Sequence, residues 1–218
     1  MFSLISYSDK SARVGASASL IKQANAVVLA NAPQLNRAQR HEAIAIGNFE
    51  TGFGVSGTWL FDDGTPSYNW GGLVGTGTRG PLTHGDVAPD GTPVKYGFQA
   101  FNSMDEGFRA FLRTWSKADT LDAASDGDAI GTARAMYGHH YFGGTKGTDE
   151  DRIQLYGKGI YNGSVEAAKI LGEPISVSSV ERRSASSILT TKNVIGFAVV
   201  TAACSAIGYW LYKDYYIT

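Results

Sequence analysis

Residues 51–97 limit the fold more than any other part of the chain. They hold twelve of its 27 glycines and four of its six prolines. No apolar repeat of helical or strand period runs through them for long. A structureless loop of that length is disfavoured inside a compact domain. The stretch is therefore expected to form a small lobe of turns and short strands, where binding residues tend to collect.

The segments on either side read as helices. Ala18, Leu20, Ile21, Ala24, Val27 and Val28 recur at helical spacing within residues 17–30. Pro33 biases Ala32 away from helical backbone and ends that helix. Asn36 followed by Gln39 is a capping-box pattern, opening a helix that runs to about Glu50. Ser103 with Glu106 is a second such pattern, ahead of Phe108, Phe111, Leu112 and Trp115. Asp126 or Asp128 opens a short helix through Tyr137, and Thr148 with Asp151 opens another carrying Ile153, Leu155, Tyr156 and Ile160. No repeat of solenoid length is present. The expected fold is mainly α, a helical body with a glycine-rich irregular or β lobe inserted after one helix.

The net charge of −1 gives no sign of a nucleic-acid binder. The sole cysteine, Cys204, excludes an intrachain disulfide and a cysteine zinc site. Residues 174–192 contain Pro174, six serines and the pair Arg182-Arg183, and read as a flexible linker. From Val194 to Leu211 there is no charged residue, and Tyr209, Trp210 and Tyr212 cluster at one end. At ~1.5 Å per residue that run is near the lower limit for crossing a bilayer core. The expected organisation is a domain at 1–173, a linker at 174–192, a transmembrane helix at 193–212 and a short tail at 213–218. The chain is thereby expected to be a single-pass membrane protein without a signal peptide.

Glu50 is the leading candidate for chemistry. It closes a predicted helix just before Gly52, where the helix dipole disfavours a carboxylate. Ile46 and Ala43 share its face and point to partial desolvation. Both effects favour a protonated carboxyl, as a general acid near neutral pH requires. A glutamate that merely ends a helix is the structural alternative. Other signals are weaker. Gly75-Thr76-Gly77-Thr78-Arg79-Gly80 matches the dinucleotide glycine pattern, but no apolar strand precedes it and Pro81 follows. His41-Glu42 lacks a second histidine at Ala45, while His139 and His140 point to different faces and His84 is isolated. No metal or cofactor is expected.

Four segments around Glu50 carry a family resemblance. They are Gly47 to Gly54; Tyr68-Asn69-Trp70-Gly71-Gly72-Leu73; Tyr96-Gly97-Phe98-Gln99-Ala100-Phe101 with Ser103 and Glu106-Gly107-Phe108; and Tyr141-Phe142-Gly143-Gly144 with Arg152 and Tyr156. In this order, over about residues 40–160, they resemble the lysozyme-like superfamily of muralytic enzymes, in particular phage and bacterial glucosaminidase and lytic transglycosylase domains. The resemblance implies a lysozyme-like helical domain that cleaves the β-1,4 glycan strand of peptidoglycan, with Glu50 protonating the glycosidic oxygen. It makes Asn69 and Tyr141 candidates for polar contacts to the sugars. Trp70, Tyr96 and Phe98 are candidates for ring contacts, with core packing the alternative for Trp70 and Phe98.

Glycosidases usually add a second carboxylate roughly 5–9.5 Å away. Asp62 and Asp63, or Asp86 and Asp90, could supply it, but none sits in a matched motif. Lytic transglycosylases need no such partner, since the muramic acid's own hydroxyl attacks, and this inclines the reading toward them. Basic residues flank the apolar run mainly on its N-terminal side, which would leave the domain in the cytoplasm. Delivery in a phage particle, seated in a virion or host inner membrane, would remove that conflict. The expected partners are thus peptidoglycan strands and a lipid bilayer. Two other functions fit the same segments: a cross-link endopeptidase, and a non-catalytic wall-binding or structural virion membrane protein.

Overall fold

The structure, a computed structural model, describes residues 16–87, 93–143 and 147–174, with backbone alone at 84–87, 93, 94 and 96. Six helices and one hairpin fall among them. They are α1 (Ala18–Asn31), α2 (Arg37–Thr51), β1 (Gly80–Val87), β2 (Pro93–Ala100), α3 (Met104–Trp115), α4 (Ala118–Ser125), α5 (Ala129–Gly138) and α6 (Asp149–Leu171). Short 3-10 turns at Gly52–Gly54 and Gly57–Trp59 link α2 to the lobe. The chain is mainly helical with one small two-stranded sheet, as the residue pattern predicts.

Local capping sets the helix starts. The Ser17 hydroxyl accepts from the Leu20 amide at 3.3 Å. Both halves of the capping box form at Asn36 and Gln39, and again at Thr148 and Asp151. Of the two candidates for α5, Asp128 is the cap, accepting from Gly131 at 2.9 Å. Only half of the Ser103 box forms. Ser103 Oγ accepts from Glu106 N, but the Glu106 carboxylate turns to the Asn102 amide at 3.1 Å and the Thr78 hydroxyl at 2.5 Å. That diversion ties the lobe to the start of α3. The sequence pattern missed α4, which opens at Lys117 with no side-chain cap and buries only Thr120 and Ala124.

The core gathers around α2, whose Ala43, Ile44, Ala45 and Ile46 are essentially inaccessible. Ile21 and Val28 of α1, Phe108 and Phe111 of α3, Met136 of α5 and Ile160 of α6 close on it. Burying a side chain of this size contributes about 1.5–3 kcal/mol. In the lobe β1 and β2 pair antiparallel, from Gly80 opposite Ala100 to Val87 opposite Pro93. A separate small core there joins Trp59, Leu82, Phe98 and Ala100.

The C-terminus of α6 is fastened back to α2. Gly172 N donates to Lys169 O and Glu173 N to Ala168 O, the pair of bonds that closes a Schellman turn. Glu173 then takes both Arg40 guanidinium nitrogens, at 3.1 and 2.7 Å, and lies 3.0 Å from His41 Nε2.

One expectation is corrected. The sequence suggested a single-pass membrane protein, yet no helix among the described residues is long and apolar enough to cross a membrane. The 23-residue α6 has the length, but Asp149, Glu150, Asp151, Arg152, Lys158, Glu166 and Lys169 interrupt it. It buries one face in the core and keeps the other polar. The single-pass seat in a virion or host inner membrane falls with that finding. Residues 193–212, where the span was expected, lie outside the described residues, as do 175–192, the tail at 213–218, Cys204 and Asp90.

The Arg40–His41–Glu173 cluster generates a pH prediction. Arg40 holds the Glu173 carboxyl below its ordinary 4.5, and burial, only partly opposed by Glu173, pushes the His41 imidazole below 6.5. Both groups therefore bind protons more readily in the unfolded chain than in the folded one. Stability should fall as pH drops below about 6.5 through His41 and again below about 4.5 through Glu173. Urea unfolding of Glu173→Ala at neutral pH should show a loss of about 2–4 kcal/mol, because Arg40 is left without its carboxylate. The same variant should lose the lower-pH step.

Candidate active site

Glu50 stands half-buried on the last turn of α2. Directly after that helix, Gly52, Phe53 and Gly54 adopt left-handed backbone with φ of 57°, 61° and 71°. Glycine takes this conformation at no steric cost, whereas for Phe53 it costs about 1–2 kcal/mol. Full burial of the Phe53 ring, edge-on to Trp70 at 4.8 Å, offsets that cost. The chain thus turns sharply off the helix axis within a few residues of the carboxylate.

α6 brings the partner. The Tyr156 hydroxyl donates to Glu50 Oε1 at 2.5 Å. Its ring stacks on Phe142, with centroids 3.9 Å apart and planes within 5°, and meets Phe49 edge-on at 5.4 Å. Phe142 in turn packs on Tyr137, whose hydroxyl accepts from Arg152 at 3.2 Å. Tyr141 completes the group. Its hydroxyl donates to Gly71 O at 2.7 Å. Burial, reinforced by the negative charge of Glu50, pushes its ionisation well above the ordinary 10. It therefore stays a neutral donor throughout the physiological range.

The other candidate residues have different surroundings. Asn69 is wholly buried, and both ends of its amide bond the Leu73 backbone, at 2.8 and 2.9 Å, across a tight turn. Trp70 is also inaccessible. It donates from Nε1 to Ala43 O at 2.9 Å and packs on Phe108 at 4.9 Å. Phe98 is 3% exposed and packs on Trp59 at 5.1 Å in the lobe's own core. Tyr96 lies opposite His84 in the hairpin, and its side chain falls outside the described residues, as does that of Asp86.

Asp62 is exposed at the turn before Gly64. Asp63, also exposed, is held by the Thr65 hydroxyl and amide and lies 3.9 Å from Arg79; these hydrogen bonds keep its carboxyl below the ordinary range. The structure thus brings Glu50 and Tyr141 together. It places Trp70 and Phe98 in the packing and commits Asn69 and Asp63 to local turns.

Tyr156, Phe142 and Phe49 join the group without having been singled out as site residues. Phe49 adjoins Glu50 in sequence, which is a usable signal. Tyr156 follows the apolar spacing of Ile153 and Ile160 and reads as core, 106 residues away from Glu50.

No family model and no curated protein sequence matches this chain. Among solved structures it is similar to a peptidoglycan hydrolase from Sphingomonas sp. A1, at 19% identity over 75% of this chain and 99% of that one, with a TM-score of 0.49. It is also similar to the catalytic domain of the autolysin Auto from Listeria monocytogenes, at 14% identity over 75% of this chain and 89% of that one, with a TM-score of 0.48.

The setting of Tyr141 predicts its titration. In alkaline spectrophotometric titration, Tyr141→Phe should give the same tyrosinate signal as the parent protein while ordinary tyrosines ionise near 10. The difference of one tyrosine should appear only with unfolding. Loss of the bond to Gly71 should cost about 1–2 kcal/mol in denaturant unfolding.

Proposed function

We propose that this chain degrades peptidoglycan by cleaving the β-1,4 glycan strand, with Glu50 as general acid. The observation that carries the proposal is the Glu50–Tyr156 pair, set among Phe49, Tyr141 and Phe142 at the end of α2. The four segments of the family resemblance meet around it. Thr51 Oγ1 donates to Trp70 O at 3.0 Å, and Trp70 reaches Ala43. Gln99 N and Phe101 N donate to Leu73 O and Ser67 O, both at 2.8 Å. Tyr141 bonds Gly71, and Tyr156 bonds Glu50. Segments that only follow one another in sequence thus form one bonded constellation. Of the solved proteins named above one is a peptidoglycan hydrolase and the other an autolysin; the proposal stands on the site's own geometry.

In the proposed reaction Tyr156 fixes Oε1 and with it the plane of the carboxyl group, and Oε2 delivers the proton to the glycosidic oxygen. Bond cleavage leaves positive charge on the ring carbon, which the newly formed Glu50 carboxylate stabilises. The acceptor hydroxyl, of water or of the muramic acid itself, then bonds to that ring carbon as its proton passes to Glu50. Asp63 is occupied by Thr65 and Arg79, so the proposal gives Glu50 both proton transfers. The half-buried rings of Phe49 and Phe142 offer faces on which sugar rings can stack.

Two variants test this. Glu50→Gln in the full chain should clear purified cell walls about a thousandfold more slowly than the parent. Tyr156→Phe keeps the ring stack and loses only the hydroxyl, and should lower kcat by roughly 10–100-fold at a stability cost of about 1–2 kcal/mol that leaves the protein folded at assay temperature. Mass spectrometry of the parent's products identifies the acceptor. Anhydro-sugar ends mark the sugar's own hydroxyl, and reducing ends mark water. New peptide amino termini with intact glycan, or full clearing by Glu50→Gln, would refute the proposal.

A further inference from the structure

A cavity of about 180 Å³ opens where α3, α4 and α5 converge, with Tyr141 as part of its wall. At ~30 Å³ per water it holds several solvent molecules, which suits a carboxylate-bearing side chain but not a disaccharide. Arg113 and Trp115 come from the end of α3, Lys117 and Thr120 from the start of α4, and His139 from the end of α5. No acidic side chain lines it. Among the described residues neither Arg113 nor Lys117 has an ion-pair partner. Asp119, next to the lining residue Thr120 in sequence, is committed to His139 Nε2, at 2.8 and 3.0 Å.

Two further features favour an anion there. The Trp115 side chain is 1% exposed, and its Nε1 donor has no acceptor, an uncommon state for a buried indole. α4 opens at Lys117 with no side-chain cap, leaving the positive end of its dipole at the cavity. Tyr141 connects the cavity to the candidate active site, since it also bonds Gly71 and feels the charge of Glu50.

We propose that this cavity is a subsite for a carboxylate of the peptide stems carried by peptidoglycan, bound by Arg113 and Lys117 beside the cleaved sugar. The inference rests on the glycan-cleaving role proposed above and deepens it. A strand lying past Glu50 carries its stems on the muramic acid, and the pocket shares Tyr141 with the site. Recognition of the stem would favour peptide-bearing wall over uncharged polysaccharide.

The test uses full-chain Glu50→Gln protein, isothermal titration calorimetry and three soluble glycan fragments of equal length. One bears native stems, one has its stem carboxyls converted to amides, and one has its stems removed by amidase. Native stems should bind roughly tenfold more tightly than either of the others. Adding Arg113→Gln and Lys117→Gln should bring that ratio to about one, with near-UV circular dichroism checking the fold. In the parent Glu50→Gln protein, raising salt from about 0.05 to 0.5 M should also shrink the ratio, a readout that needs no further substitution. Equal affinity for all three fragments, or a preference that survives both substitutions or high salt, overturns the subsite. Stripped strands binding as tightly as native ones would move the carboxylate to the sugar's own lactyl group and overturn the peptide assignment. Cleavage of the same fragments by wild-type protein is followed in parallel. Cutting without stem preference sinks the subsite alone, and stem preference without cutting sinks the glycan-cleaving role alone.

Discussion

The bond from the Trp70 indole to the Ala43 carbonyl holds the body and the lobe in register. Ala43 lies in the most deeply buried part of α2, and its carbonyl already belongs to the helix ladder. Trp70 can reach it because residue 47 is glycine; a Cβ there would come within 2.4 Å of Nε1. Once the indole is seated, its ring fixes Phe53 on one side and Phe108 and Phe111 on another. Its own carbonyl takes the Thr51 hydroxyl, one residue beyond Glu50. The next carbonyl, of Gly71, takes Tyr141. The turn after Glu50 and the loop that receives Tyr141 therefore both trace to one buried side chain.

That arrangement divides labour between rigid and polar parts. Glu50 and Tyr156 belong to α2 and α6, two helices that also meet at the Glu173 clamp. Anchored at both ends, the pair cannot drift apart without breaking the Tyr156–Glu50 hydrogen bond. Tyr141 comes from the connection after α5 and is kept neutral by burial and by the adjacent carboxylate. Its one proton goes to Gly71 O, so it holds the loop beside the carboxylate without adding a second charge that burial would penalise. The left-handed turn at Gly52–Gly54 belongs to the same design. Its strain is local to the carboxylate, while the contacts that offset it are Phe53 and Trp70 in the core.

What could be read from the residues was local. Asn36 with Gln39 and Thr148 with Asp151 mark their helices because a cap needs only three or four neighbouring residues. The same logic left Asp126 and Asp128 open, and only the bond to Gly131 decides between them. It also passed over α4, which has no cap and few apolar residues. Long-range partnerships were invisible. Glu106 completes a capping pattern in sequence, yet its carboxylate goes to Thr78 in the lobe. Tyr156 has the spacing of a core residue, and only the fold reveals where its hydroxyl ends.

Trp70 illustrates why motif residues and contact residues differ. A motif preserves whatever the site cannot lose, and that includes the floor beneath it. Asn69 and Trp70 belong to one of the four segments that carry the family resemblance, and both spend their polar atoms on backbone, at Leu73 and Ala43. A side chain so placed sets the height and tilt of the loop that accepts Tyr141 rather than presenting its own surface. The polar groups brought to Glu50 are then Tyr156 and Tyr141, each drawn from a different element and each depending on that floor. Position in the motif thus marks what holds the site, and the groups that face the carboxylate come from the helices and connections that the floor keeps in place.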